Sequence, residues 1–133
     1  MVIKGVHHIG IAVRNTEEAE KTYTELLGVK PSHSEVIPEQ GVKATIFHLG
    51  QCEIELLEPI DPEAGVAKFL ERRGEGLHHI CLEVDGIDEE LKALAAKGVR
   101  LIDKEPRLGL AGRIAFLHPQ AANGVLIELA QRV

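Results

Sequence analysis

Hydrophobic and polar residues alternate along short stretches of this chain, and one such stretch occurs twice. Residues 6–13 read VHHIGIAV and residues 77–84 read LHHICLEV, so their second histidines are 71 positions apart (79 − 8 = 71). The phrase IEL at 54–56 returns at 127–129, with an offset of 73 between the glutamates (128 − 55 = 73). Alternation with a period of two is typical of strands that bury one face. The pattern therefore predicts two copies of one structural unit.

A stretch with helical spacing follows each histidine strand. In the first half, Asn15 is the predicted N-cap with Glu18 as its capping-box partner, and Gly28 ends the helix. Asp85 and Gly98 take the corresponding positions in the second half. Further strands are predicted at 34–37, 44–49, 52–57, 100–103, 113–117 and 125–130, with a connecting helix at 63–73.

These elements predict an α+β fold of two βαβββ modules in tandem. Residues 1–133 are expected to form a single domain, because each half is small enough to gain stability from packing against its twin. Module 1 covers about 1–60, the connecting helix about 61–74 and module 2 about 75–133.

Composition narrows the possible functions. The net charge of −6 disfavours an extended nucleic-acid surface, and an aromatic content of 3% disfavours a platform for stacking bases. No apolar run has the length of a membrane-spanning helix. Cys52 and Cys81 form no disulfide framework. A cytoplasmic protein with no membrane or nucleic-acid partner is expected.

The strand alternation also selects candidate metal ligands. Aliphatic residues of each repeated strand share the face that packs on the helix, which leaves the second histidine of each pair and the glutamate of each IEL phrase on the opposite face. The four residues selected in this way are His8, Glu55, His79 and Glu128. Any one of them alone is more often a satisfied polar residue. Imidazole and carboxylate donors at four repeat-matched positions instead favour a site for one first-row divalent ion.

Other polar residues fit this pattern less well. His7 and His78 share the helix-facing side and are predicted to be structural, whereas His33, His48 and His118 have no repeat partner of the same kind. Cys81 is read as a small packed residue, and Glu83 is the strongest rival carboxylate because it shares the ligand face. The stretch 109–112 lacks the pattern of a phosphate-binding loop and is flanked by Arg107 and Arg113.

Several phrases resemble the vicinal oxygen chelate superfamily and, within it, the methylmalonyl-CoA epimerase family over nearly the whole chain. The phrases that carry this resemblance are HHIGIAV at 7–13, PEQGV at 38–42, ELLEP at 55–59, GLHHICLEV at 76–84, FLHP at 116–119 and GVLIEL at 124–129. The resemblance implies curved mixed sheets around a metal site. Motif by motif, it assigns the ligands to His8, Glu55, His79 and Glu128, although some relatives carry glutamine at the position of Glu55.

The same resemblance implies an isomerase that epimerises methylmalonyl-CoA at C2 through a metal-stabilised enolate. Co²⁺ is the favoured ion, with Mn²⁺, Ni²⁺ and Zn²⁺ as alternatives, and a homodimer is expected. Glu128 is implied to be catalytic as well as a ligand. Several relatives have an acid/base glutamate where this chain has Ala44, so the second acid/base stays open, as do the Lys or Arg residues that meet coenzyme A. A glyoxalase-type isomerase and a non-catalytic small-molecule binding module are the alternative functions.

Overall fold

The computed structural model describes residues 3–132. Eight strands, three α-helices and one 3-10 turn occur in these residues, in the order β-α-β-β-β, connecting helix, β-α-β-β-β. The elements are β1 Ile3–Ala12, α1 Thr16–Leu27, β2 His33–Ile37, β3 Val42–Leu49, β4 Cys52–Pro59, α2 Gly65–Arg73, β5 Gly76–Val84, α3 Ile87–Ala96, β6 Arg107–Gly109, β7 Gly112–Leu117, the 3-10 turn Pro119–Ala122 and β8 Ile127–Gln131. The predicted α+β class with two βαβββ modules is confirmed. None of the helices in the described residues is long and apolar enough to cross a membrane.

The chain forms two compact units. Residues 9–78 make up one, called the central unit below, and the described residues 3–8 and 79–132 make up the other, called the terminal unit. The boundaries pass through β1 and β5. The organisation of the whole chain as a single domain stays a prediction.

The central unit places a hydrophobic core between its strands and α1. β2 pairs antiparallel with β3, and β3 pairs antiparallel with β4. Val13, Phe47 and Leu56 are the buried centre of this core. The partly buried residues packed against them are Ile11, Ala19, Tyr23, Leu27 and Ile54. Since Ile54 and Leu56 both face this core, Glu55 between them lies on the opposite face of β4.

The predicted boundaries of α1 are confirmed. The side chain of Asn15 accepts a hydrogen bond of 2.9 Å from the backbone N–H of Glu18, which satisfies one of the donors left open at a helix start. Gly28 ends the helix in the left-handed conformation (φ 71°), and its N–H bonds to the carbonyl of Thr24.

The terminal unit has a mixed sheet with α3 on one side. β5 pairs parallel with β8, β8 antiparallel with β7, and β7 antiparallel with β6. The core on the α3 side contains Val84, Ile87, Leu91, Ala115, Leu117 and Leu129. The opposite face of the same strands carries a second buried cluster, formed by Cys81, Ile114 and Ala130 with Phe116 packed against it. This face of the sheet, away from α3, is called the site face below.

Two predictions for the second half are wrong. Residues 100–103 form no strand, and only Leu101 makes a bridge, to Leu117, while the strand beside β7 is β6. The backbone N–H groups of Ile102 and Asp103 both donate to the carbonyl of Phe116, which interrupts the regular alternation of a ladder.

The second wrong prediction is the N-cap of α3. Gly86, and not Asp85, is the capping residue, and no side chain bonds there in the manner of Asn15. The first N–H of the helix, from Ile87, instead donates to Oε1 of Gln131 on β8 (3.0 Å). A side chain that is distant in sequence can satisfy a helix start as well as a local cap.

This distant capping bond is itself duplicated. In the central unit, the N–H of Thr16 at the start of α1 donates to Oε1 of Glu58 on β4 (2.7 Å). Thr16 and Ile87 are 71 positions apart, and Glu58 and Gln131 are 73 apart (87 − 16 = 71; 131 − 58 = 73). These offsets equal the 71 positions between His8 and His79 and the 73 positions between Glu55 and Glu128. Each module therefore ties its helix to its last strand with the same kind of contact.

Gly112, at the β6–β7 hairpin, is a position where only glycine fits. Its φ is +116°, and a Cβ atom there would lie 2.4 Å from the carbonyl oxygen of Gln131. We expect Gly112→Ala to lower the free energy of unfolding by about 1–3 kcal/mol, because it adds a backbone clash to an unfavourable φ. Chemical denaturation measures the loss. Gly98→Ala is the control, since Gly98 has φ +80° but open space around it. Equal losses in the two variants would show that the clash contributes nothing.

Candidate active site

Three of the four predicted ligands meet on the site face of the terminal unit. His8 comes from β1, His79 from β5 and Glu128 from β8, and their exposed fractions are only 2%, 5% and 4%. The two Nε2 atoms are 3.0 Å apart. Oε1 of Glu128 lies 3.2 Å from Nε2 of His8 and 3.0 Å from Nε2 of His79. Two nitrogens and one oxygen thus form a nearly equilateral triangle.

Hydrogen bonds do not account for all three edges of this triangle. Each imidazole Nε2 carries at most one hydrogen and an ionised carboxylate carries none, so at most two edges hold a linear hydrogen bond. Donor atoms about 2.1 Å from one ion and at right angles to each other lie about 3.0 Å apart, close to the observed edges. The donor chemistry and spacing of His8, His79 and Glu128 therefore fit a single first-row divalent ion.

The carboxyl group of Glu128 carries a negative charge at the triangle. Burial raises the pKa of this carboxyl, but hydrogen bonds from His79 and His8, together with their positive charge, outweigh burial and lower it from 4.5 to about 2. Glu128 is therefore ionised at neutral pH. An ionised carboxylate is the form that binds a metal ion.

His7 contacts the His8 ring on the side opposite its Nε2 atom, and the strand alternation does not predict this contact. Its Nδ1 lies 2.8 Å from Nδ1 of His8, and both rings are buried. One of these two nitrogens must carry the hydrogen that they share. If Nε2 of His8 is to offer a lone pair, His8 must be protonated on Nδ1 and donate to His7. The doublet in the repeated phrase is the only sequence signal of this contact.

Glu55 lies in the central unit, where β4 holds it 4% exposed on the face away from α1. In the β3–β4 register it pairs with Ile46, and the next pair on the same face is Ala44 with Leu57. Ala44 is fully buried and carries no ionisable group. The role of Glu55 as the fourth ligand stays a prediction.

The remaining polar candidates have other contacts. Glu83, the alternative carboxylate ligand considered from the sequence, forms ion pairs with Arg132 (3.1 Å) and Lys4 (3.7 Å). Cys81 is fully buried beside Glu128 in the β5–β8 register. Possible ligand atoms of Cys81, His7 and His8 lie within 4.8 Å of one another, so a thiol also borders the triangle.

The other histidines lie outside the triangle. His78 stacks edge-on against Phe69 at 5.1 Å between ring centroids. His48 pairs with Glu53 across the β3–β4 hairpin (2.9 Å). His118 accepts a hydrogen bond from the N–H of Gln120 at the start of the 3-10 turn. His33 lies 3.6 Å from Glu35 on β2.

Comparison with known proteins agrees with this arrangement. Residues 7–116 match the Glyoxalase/Bleomycin resistance protein/Dioxygenase superfamily. The chain belongs to this superfamily, whose members generally bind a divalent metal ion.

Individual relatives indicate to which family within the superfamily the chain belongs. The human mitochondrial methylmalonyl-CoA epimerase is 38% identical over 95% of this chain and 73% of its own length. The uncharacterised protein YqjC of Bacillus subtilis is 42% identical over 93% of this chain and 89% of its own. A solved methylmalonyl-CoA epimerase in complex with methylmalonyl-CoA and NH4+ has a TM-score of 0.93 at 35% identity, covering 99% of this chain and 96% of that one. Within the superfamily, the chain belongs to the methylmalonyl-CoA epimerase family.

Proposed function

We propose that this protein is an isomerase that epimerises methylmalonyl-CoA at C2, with one divalent ion held by His8, Glu55, His79 and Glu128. The observation that carries the proposal is the buried triangle of two imidazole nitrogens and one carboxylate oxygen, with edges of 3.0–3.2 Å. Membership of the epimerase family supports the choice of substrate. Glu55 is included because it matches Glu128 in the repeat and is buried on the face away from α1.

The reaction removes the proton between a thioester carbonyl and a carboxylate and returns it to the opposite face of C2. A bound divalent ion supplies Lewis-acid charge beside the oxygens on which negative charge develops. The chain itself contributes buried, oriented donors: His8 and His79 are nine-tenths or more buried, so bulk water has little access to the rings. A low-dielectric setting strengthens every charge interaction with the substrate.

Proton transfer requires a group on each side of C2. We assign one of these roles to Glu128, which is ionised at neutral pH and can therefore accept a proton. A bound ion would lower the basicity of this carboxylate further, and it would also acidify the C–H from which the proton is taken. Ala44 offers no proton carrier. Glu39, which is exposed, is the first candidate for the second role. Lys43, the other polar candidate near this segment, pairs with Glu58 and therefore lies on the α1 face of the sheet, opposite Glu55.

Three finer features belong to the same proposal. We assign Co²⁺ as the ion on family resemblance, although Mn²⁺, Ni²⁺ and Zn²⁺ also accept nitrogen and oxygen donors. We propose a homodimer, as is common in the superfamily. We propose a cytoplasmic location, in keeping with the absence of a disulfide framework.

Exchange of the C2 proton of methylmalonyl-CoA for deuterium tests the proposal. With the metal-loaded protein in D₂O, we expect rapid exchange, measured by NMR or mass spectrometry. Removal of the ion by a chelator should abolish this exchange, and added Co²⁺ should restore it, because the ion stabilises the charge that develops when the proton leaves.

The two halves of the proposal fail separately in this experiment. Exchange that continues after metal analysis has verified a metal-free protein contradicts the role of the ion. If the protein is fully loaded with each of the four ions in turn and catalyses exchange with none of them, the epimerase function is contradicted.

Membership of the glyoxalase superfamily favours one second candidate, a glyoxalase-type isomerase acting on a glutathione adduct. Such an enzyme would also use an ion and a shifted proton. Turnover of the hemithioacetal of glutathione and methylglyoxal, without exchange in methylmalonyl-CoA, would select it. Binding of small molecules without turnover of either substrate would select a non-catalytic module.

A further inference from the structure

We infer that Arg107 binds an oxyanion of the acyl-CoA substrate at the edge of the site face. This assignment rests on the proposed function and adds to it a specificity-determining residue outside the metal site.

Strand register places Arg107 on the site face. Phe116 pairs with Glu128 between β7 and β8, and Arg107 pairs with Ile114 between β6 and β7. Directly paired residues share a face, and so do residues two apart on one strand. Arg107, Phe116 and Glu128 therefore lie on one surface. Arg113 has the opposite parity and binds Asp88 of α3 on the other surface (2.8 Å).

Contacts connect Arg107 to the triangle through a single aromatic ring. Cζ of Arg107 lies 5.6 Å from the centre of the Phe116 ring, within range of a cation–π interaction. The same ring also contacts His79, with the two ring centroids 5.9 Å apart. A molecule bound at the triangle that carries an anionic group about one ring's width away would place that group beside this guanidinium.

Asp103 holds Arg107 in place from its Nε side. Oδ1 of Asp103 lies 3.3 Å from Nε of Arg107, and Oδ2 accepts a hydrogen bond of 2.8 Å from the backbone N–H of Phe116. One carboxylate therefore positions both the guanidinium and the strand that carries the aromatic ring. Within residues 3–132, Nη1 and Nη2 of Arg107 have no hydrogen-bond partner, and the side chain is 46% exposed. A planar fork of N–H donors is well suited to a carboxylate or a phosphate.

The other cations on or beside the strands of this unit also form ion pairs, but none of their printed contacts is with the Phe116 ring. Lys4 and Arg132 both bind Glu83, and Arg113 makes a bidentate pair with Asp88. The protein carries a net charge of −6, so a local positive charge favours the binding of an anionic substrate. Arg107 is also ion-paired, through Nε with Asp103, but it lies over the Phe116 ring beside His79 and keeps its two Nη groups available on the site face.

The substrate offers the same oxyanion chemistry at two places, the malonyl carboxylate and the phosphates of coenzyme A. Methylmalonyl-pantetheine keeps the carboxylate and lacks the phosphates, so it separates them. We expect Arg107→Gln to raise KM for methylmalonyl-CoA about tenfold or more, with a smaller change in kcat and unchanged metal content, because charge-assisted hydrogen bonds are lost. Arg107→Lys should recover part of the affinity. A rise in KM for both esters assigns the carboxylate, and a rise for the CoA ester alone assigns the phosphates.

Arg113→Gln is the matched control, since it removes the same charge from the neighbouring strand on the opposite face, and it should leave KM unchanged. An unchanged KM in Arg107→Gln for both esters, with an active wild-type enzyme, overturns the assignment of Arg107 alone. An equal rise in KM in Arg107→Gln and Arg113→Gln also overturns it, because it indicates a general effect of net charge. A metal-loaded wild-type protein that turns over neither ester contradicts the proposed function instead.

Discussion

Replacing His79 with alanine is expected to abolish ion binding and C2 exchange together. Nε2 of His79 forms two of the three edges of the buried triangle, at 3.0 Å from both His8 and Glu128. Loss of a direct ligand should weaken ion binding by about a hundredfold or more, since even partners of ligands contribute 10–100-fold. Metal analysis of the purified variant and deuterium exchange at C2 measure the two effects. His8→Ala should behave in the same way.

The neighbouring histidines provide the controls. His78→Ala should retain ion and activity, because His78 stacks on Phe69 and lies outside the triangle. His7→Ala should still retain an ion at saturating metal, but with weaker affinity, since it removes the partner of His8 Nδ1. A variant series in which His7 or His78 proves essential for the ion while His8 or His79 does not would mean that the wrong histidine of each pair has been assigned.

Replacing Glu128 with glutamine is expected to reduce C2 exchange far more severely than replacing Glu55 with glutamine. Both changes keep the size of the side chain and remove its charge. Glu128 contacts both rings and, with a pKa of about 2, is ionised at neutral pH, so it can take up a proton as well as bind the ion. Loss of an acid/base group typically costs about 10²–10⁴-fold in rate. Exchange must be compared in variants that metal analysis shows to be equally loaded.

Equal and mild losses in the two variants would contradict the proton-transfer role of Glu128. The acid/base search would then begin with Glu39→Gln on the PEQGV segment, with Lys43→Gln, directly after that segment and on the opposite face from Glu55, as its comparison. A loss of the ion in Glu128→Gln that Co²⁺ cannot reverse would support the ligand role and would not bear on proton transfer.

Local sequence patterns determined a large part of this fold. Strand side chains alternate faces with a period of two, so the aliphatic residues around Glu55 and Glu128 were sufficient to place both carboxylates on the face away from the helices. Asn15, Glu18 and Gly28 likewise determined where α1 begins and ends, because capping involves only residues a few positions apart. Family phrases indicated the superfamily to which the chain belongs.

Contacts between distant segments were decided only by the tertiary structure. The cap of α3 comes from Gln131 on β8, and the strand beside β7 forms at 107–109 and not at 100–103, because pairing in three dimensions overrides the nearest local signal. The alternation of residues assigns a face to each side chain but says nothing about which strands become neighbours. Strand order therefore decided that His8, His79 and Glu128 meet within 3.2 Å, that His7 lies behind His8, and that Arg107 stands one ring from His79.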